Sequence, residues 1–165
     1  MLDIHLKKLA SHLKEICYKH KINISSAESC TGGLLSYYIT SVPGSSNYFN
    51  AGFITYSNYS KISVLGISEE TLQYRGAVSE EVAKEMALGA NKKADTHFAV
   101  SITGIAGPGA SSLKPEGLVC FGFANKKNYR TKIVNFGKIG RDKVRMNACV
   151  EALRSLIKYI EDNTS

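Results

Sequence analysis

A chain of 165 residues, 44% hydrophobic and 21% charged, can bury a core without metal or disulfide staples and is too apolar to remain disordered. Its formal net charge of +7 is carried by the two ends, while residues 22–124 are slightly acidic. Two uncharged stretches, Ser29 to Ser60 and Thr96 to Leu113, have the length of a membrane span, but Gly32, Gly33, Pro43 and Gly44 in the first and Gly104, Gly107, Pro108 and Gly109 in the second would leave backbone groups unpaired in lipid, so no spanning helix is expected. The opening Met-Leu-Asp-Ile-His lacks a basic-then-apolar leader, and Cys17, Cys30, Cys120 and Cys149 lie far apart with no Cys-x-x-Cys pair. Reduced thiols and a cytoplasmic location are the expectation. Lys126, Lys127, Arg130, Lys132 and Lys138 are spaced like the solvated faces of a hairpin, which favours surface charge over a phosphate-bearing ligand, and either over a nucleic-acid polymer.

In chain order, Leu6, Leu9, Ala10, Leu13, Ile16 and Cys17 recur at helical spacing, which predicts an amphipathic first helix. Ile22 to Ala27 alternates as a strand and runs into Glu28-Ser29-Cys30-Thr31-Gly32-Gly33, after which Leu34, Leu35, Tyr38, Ile39 and Val42 resume helical spacing until Pro43-Gly44. Ala51 to Tyr56 reads as a second strand, and Asn58 to Leu65 as a short helix ended by Gly66. Ser79 caps a helix running to about Lys93 with Glu80 and Glu81 in its first turn. Phe98, Val100 and Ile102 alternate in a third strand. Leu118 to Ala124 and Tyr129 to Phe136 form a hairpin around Asn125-Lys126-Lys127-Asn128, and a final helix runs from Arg141 to about Ile160.

Strands alternating with helices predict an α/β fold whose five-stranded sheet is mostly parallel but mixed, because the late hairpin forces an antiparallel strand. No repeat, linker or charge block divides the chain, so residues 1–165 are expected to form one domain. Ligands of such sheets bind beyond the carboxyl ends of the strands. Segments 28–33, 56–61 and 103–109 should therefore share one rim.

That rim is rich in hydroxyls and holds one cation, Lys61. Ser29 precedes a helix whose opening Thr31-Gly32-Gly33 turn offers backbone amides to an oxyanion. A serine hydroxyl needs a base. His5, His12 and His20 belong to the first helix or its end, and His97 opens a strand rather than closing one, so Lys61 with a depressed pKa is the candidate. Ser29 is also read as a plain helix cap, and Cys30, a thiol at a helix start, rivals it as nucleophile. Ser11-x-x-Lys14 and Ser111-x-x-Lys114 match a Ser-x-x-Lys pattern without its companion motifs and are read as accidents. No His or Cys spacing suits a metal, and Gly104-Ile105-Ala106-Gly107 lacks the context of a dinucleotide or triphosphate fingerprint, although its amides suit one phosphate.

Six motifs stand in order: Ala27-Glu28-Ser29-Cys30-Thr31-Gly32-Gly33, Pro43-Gly44-Ser45-Ser46 with Phe49 and Gly52, Thr55-Tyr56-Ser57-Asn58 with Lys61, Gly76-Ala77-Val78-Ser79, Thr103-Gly104-Ile105-Ala106-Gly107-Pro108, and Arg141-Asp142-x-Val144-Arg145. Together they resemble the CinA C-terminal domain family over about residues 5–160. The resemblance implies a three-layer α/β/α sandwich with a mixed sheet, an amidase that converts nicotinamide mononucleotide to nicotinate mononucleotide and ammonia, a homodimer, and no metal or other cofactor. Carried over by position, it implies Ser29 as nucleophile and Lys61 as base, with Ser46 and Tyr56 as orienting or relaying hydroxyls. The amides of Cys30, Thr31, Gly32 and Gly33 would hold the oxyanion. The substrate phosphate would lie on the turn carrying Thr103, Gly104, Ala106 and Gly107, with Arg141 or Arg145 as its cation.

The chain departs from the family pattern at one loop. Where the family commonly has a Gly-Gly pair and then Lys-Pro-Val-Gly-Thr, this chain has Gly109-Ala110-Ser111-Ser112 and then Lys114-Pro115-Glu116-Gly117-Leu118, about one residue shorter. Glu116 there would repel a phosphate. The molybdopterin-binding-like domain that many CinA proteins carry, and the pyrophosphatase activity of some, are not expected of these residues. Two alternatives stand beside the amidase: a non-catalytic ligand- or DNA-binding module tied to competence or damage response, and an amidase for another small amide.

Overall fold

The computed structural model describes residues 1–111 and 113–165. Helix α1 (Leu2–His20) buries Leu6, Ala10, Leu13, Ile16 and Cys17, the face its periodicity predicts, and ends where Lys21 turns left-handed. Strand β1 (Ile24–Glu28) is buried throughout and leads into α2 (Leu34–Thr40). A single 3-10 turn, Ser45–Asn47, precedes β2 (Phe49–Ile54), which alternates half-buried and exposed residues as an edge strand does. Three helices follow: α3 (Asn58–Leu65), α4 (Glu69–Arg75) and α5 (Glu80–Ala94). Strands β3 (Phe98–Gly104), β4 (Leu118–Asn125) and β5 (Tyr129–Asn135) complete the sheet before α6 (Arg141–Thr164).

The strands pair in the order β2-β1-β3-β4-β5. Strands β2, β1 and β3 are mutually parallel, and β4 runs antiparallel to both of its neighbours. The two faces are built from different side chains. Toward α1, α2 and α6 the sheet presents Ile24, Val100, Ile102, Phe121 and Phe123, which form the larger core with Leu13, Ile39, Leu153 and Leu156. Toward α5 it presents Ala27, Ala99, Ser101 and Gly122. These small residues let the helix backbone come close: the Ser101 hydroxyl donates to Ala83 O at 2.5 Å, and a Cβ on Gly122 would strike that same carbonyl.

Two features differ from the sequence expectation. Helix α4 went unread because only Leu72 is buried, leaving no period to detect, although Ser68 accepts from Thr71 N and Glu69 and Glu70 open its first turn. The second strand begins at Phe49 rather than Ala51 and ends at Ile54, because Thr55 and Tyr56 are already bending toward Ser57, which caps α3.

Candidate active site

The chain leaves β1 to pair on one side with β2 and on the other with β3, with α2 packed on one face and α3 to α5 on the other. The crevice above β1 and β3 is thus the switch point of the sheet. The three predicted rim segments meet there. Ser29 N donates to Ile102 O at 2.9 Å, which ties the end of β1 to β3. A cavity of about 320 Å³ lies above, lined by Ser29, Cys30, Tyr56, the Gly104 to Gly109 turn and Arg141. Its size suits a small ligand.

Glu28 shapes the turn that follows β1. Its carboxylate is fully buried and accepts from Gly33 N at 3.0 Å, Leu35 N at 3.1 Å, Ser36 N at 2.9 Å and Ser36 Oγ at 2.7 Å. It serves as the cap that Gly33 cannot provide, opposite the positive end of α2. Gly32 and Gly33 stand at φ +55° and +98°, conformations that glycine adopts without strain. The sequence reading assigns Glu28 no such role. The available signal is an acidic residue ending a strand, with Gly32 and Gly33, which carry no side-chain acceptor, immediately before the helix.

Lys61 projects from the first turn of α3 into the protein, 1% exposed, and Ser29 is 9% exposed. Its Nζ lies 3.0 Å from Ser29 Oγ, 2.9 Å from Thr55 O and 3.1 Å from Tyr56 O. Among the described residues no carboxylate lies within 4.0 Å of it. Burial without a counter-ion pushes the Lys61 pKa below the ordinary 10.5, opposed only by the nearby Cys30 thiol. A neutral amine has two N–H donors and one lone pair. In the neutral form, with both carbonyls taking the donors, the lone pair would face the Ser29 hydroxyl.

Cys30 is the contrary case. A helix start was expected to ease its ionisation, but burial pushes the thiol up to about 12, with Glu28 adding to the rise and Arg145 and Arg141 only partly opposing it. It is held as a neutral thiol.

The expected oxyanion donors are fewer than four. Gly32 N donates to Ser29 O at 3.0 Å, and Gly33 N is bound by Glu28. Among the described residues, the amides of Cys30 and Thr31 are the members of that set without a partner. Arg145 secures them from behind, donating from Nε to Cys30 O at 3.2 Å and from Nη2 to Thr31 O at 2.9 Å. Arg141, one helical turn earlier, lines the cavity instead, with Nη1 on Gly107 O at 2.8 Å and Nη2 on Tyr56 Oη at 3.0 Å. The Tyr56 ring is 59% exposed and its hydroxyl meets Arg141 rather than Lys61; the Tyr56 backbone carbonyl is what reaches the amine.

On the opposite wall, Gly104, Ala106 and Gly107 line the cavity, but the Thr103 hydroxyl turns away to donate to Ala77 O at 2.7 Å. Ser46 is not brought to this group within one chain. Its turn precedes Phe49, which pairs with Ile24 at the start of β1, whereas Ser29 follows Glu28 at the end. The length of β1, about 16 Å, separates them. Neither Ser-x-x-Lys decoy pairs its side chains: Lys14 Nζ donates to Pro43 O, and Lys114 Nζ to Arg75 O and Val78 O. Ser112, part of the divergent loop, lies outside the described residues.

Elsewhere the described residues hold no cluster of His, Cys, Asp or Glu able to take a metal, and no helix is long and apolar enough to cross a membrane. Three of the five hairpin cations are engaged on the surface: Lys126 with Asp95 at 2.7 Å, Arg130 with Asp162 at 3.0 Å and Lys132 with Glu151 at 2.6 Å.

Comparison with known proteins covers most of the chain. The family model of the CinA C-terminal domain matches residues 6–160. The nicotinamide-nucleotide amidohydrolase PncC of Escherichia coli K12 is 42% identical over 165 residues, covering 99% of this chain and 100% of that protein. A CinA-like protein of Chloroherpeton thalassium is 52% identical over 117 residues, 70% of this chain, and the match spans only 28% of that longer protein. The crystal structure of the competence/damage inducible protein CihA of Agrobacterium tumefaciens superposes with a TM-score of 0.90 at 39% identity, covering 93% of this chain and 94% of that one.

Proposed function

The chain belongs to the CinA C-terminal domain family, and we propose that it is a cytoplasmic amidohydrolase that converts nicotinamide mononucleotide to nicotinate mononucleotide and ammonia through Ser29 and Lys61. The end-to-end match to an enzyme named for that activity supports the substrate class. The carrying observation for the mechanism is the buried Lys61 amine, 3.0 Å from Ser29 Oγ and without a counter-ion. Four free, buried cysteines fit a reducing compartment.

Ser29 Oγ attacks the carboxamide carbon while its proton passes to Lys61 Nζ. The carbonyl oxygen becomes an oxyanion, stabilised by the Cys30 and Thr31 amides. Lys61 returns the proton to the departing nitrogen, ammonia leaves, and an ester on Ser29 remains. Water then attacks the ester carbon, giving one proton to Lys61; as the bond to Ser29 Oγ breaks, Lys61 passes that proton to the serine oxygen, and the released acid loses its remaining proton to solvent to become the carboxylate. Arg141 is the cation placed to meet the substrate phosphate, oriented by Gly107 O and Tyr56 Oη. Arg145 acts behind the oxyanion amides as a support. The proposed assembly is a homodimer of single-domain chains.

Ammonia release from nicotinamide mononucleotide by the purified chain tests this reading. Wild type is expected to turn over, and Ser29→Ala to lose at least about a thousandfold in kcat. Full turnover by Ser29→Ala, or none by folded wild type, would overturn it. The paired hairpin cations give no support to the DNA-binding alternative.

A further inference from the structure

Residues 113–117 pack against the turn that forms the far wall of the cavity. Two contacts hold them. The Lys114 amine reaches the Arg75 carbonyl at 2.9 Å and also donates to Val78 O, anchoring the loop to the segment that follows α4. The Glu116 carboxylate then rises against the turn. Its Oε2 accepts from Gly109 N at 2.7 Å, and its Cδ would lie 2.6 Å from a Cβ placed on Gly107. Gly107 and Gly109 both line the cavity, and Gly107 O on the same turn accepts from Arg141.

This carboxylate does two things to the wall. It occupies the Gly109 amide, removing one donor that an anion on the turn would otherwise use. It also places a negative charge against the turn whose Gly107 carbonyl holds Arg141, the only arginine lining the cavity among the described residues, with no basic side chain within 4.0 Å of Glu116 to neutralise it. We propose that Glu116 is a specificity-determining residue that weakens binding of doubly negative groups at the Gly107 to Gly109 turn, so that the site holds a substrate phosphate less tightly than the same turn would without that charge. In its kinetic consequence the inference rests on the amidase reading; in its binding consequence it does not.

The test uses the full chain and two probes. Inorganic phosphate is titrated calorimetrically into wild type and Glu116→Gln, a change that removes the charge but keeps an oxygen for Gly109 N. Glu116→Ala serves as the second variant, and thermal unfolding verifies that each is folded. Both variants are expected to bind phosphate about three- to tenfold more tightly than wild type, the range for one charge acting on a dianion through a partly solvated wall. Equal affinity in all three proteins, or no phosphate binding by any, overturns the proposal. Ammonia release is then compared for nicotinamide mononucleotide and its phosphate-free riboside. The KM for the mononucleotide is expected to fall by the same factor in Glu116→Gln, with kcat and the riboside reaction unchanged. Tighter phosphate binding without ammonia release from any protein would sink the amidase reading and leave the role of Glu116 standing. Ammonia release with identical phosphate affinities and identical KM values would do the reverse.

Discussion

Lys61 shows how one side chain acquires a chemical role from its surroundings rather than its type. Its four-carbon stem carries the amine into a site where two main-chain carbonyls take its donors and no anion stabilises its charge, so the neutral form is favoured over what free lysine would show. In the proposed mechanism the neutral amine is the base, so kcat/KM should rise with pH as Lys61 loses its proton. The midpoint should lie below the ordinary lysine value of 10.5, because the folded-state pKa is lowered. Lys61→Arg should be inactive across the whole range, since a guanidinium keeps its proton. A profile that falls with pH, or an active arginine variant, would remove Lys61 from the base role. Sequence spacing was enough to nominate Ser29 and Lys61, because both stand just after strands whose carboxyl ends share a rim. It was not enough to separate Ser29 from Cys30. That choice depends on burial, which holds the thiol protonated at about 12 and which neighbouring residues in sequence do not reveal.

At the scale of the element, the segment from β1 to α2 is a single device. Glu28 closes the strand, caps the helix and leaves the intervening turn free to present Ser29 on one side and the Cys30 and Thr31 amides on the other. Removing the carboxylate would strand the buried Leu35 and Ser36 donors. Glu28→Ala should therefore cost on the order of 3 kcal/mol in urea unfolding, against less than about 1 kcal/mol for Ser29→Ala, which leaves the turn's backbone bonds intact. Equal stabilities for the two variants would show that solvent caps α2 as well as Glu28 does. Helices α1 and α6 are legible because their buried faces repeat in sequence, whereas α5 is marked by its Ser79 cap and acidic first turn and the β4–β5 hairpin by the Asn125-Lys126-Lys127-Asn128 turn between two strand-forming runs. Helix α4 and the 3-10 turn at Ser45 are short and mostly exposed, held by caps rather than by a face, and periodicity has nothing to register there.

For the molecule as a whole, the position of Ser46 constrains how the proposed assembly can work. Family resemblance gives Ser46 a hydroxyl role and implies a homodimer, whereas the fold puts Ser46 at the amino end of the parallel strands and Ser29 at the carboxyl end. Both expectations hold together only if Ser46 of one chain serves the Ser29 site of the other. Exposed apolar residues on β2 and the neighbouring helices, Ile54, Tyr37 and Tyr59, supply surface that a second copy could cover. Two inactive variants then become diagnostic. Ser29→Ala lacks the nucleophile and Ser46→Ala lacks the partner hydroxyl, so a dimer holding one of each retains one complete site. Mixing the two after mild dissociation should restore about a quarter of wild-type ammonia release, since random exchange makes half of the dimers mixed and each mixed dimer has one of its two sites intact. Sedimentation of the mixture confirms that dimers have re-formed. An active Ser46→Ala protein would strip Ser46 of the role, and re-formed dimers without recovered activity would confine both residues to the same chain's site, in conflict with the separation that β1 imposes.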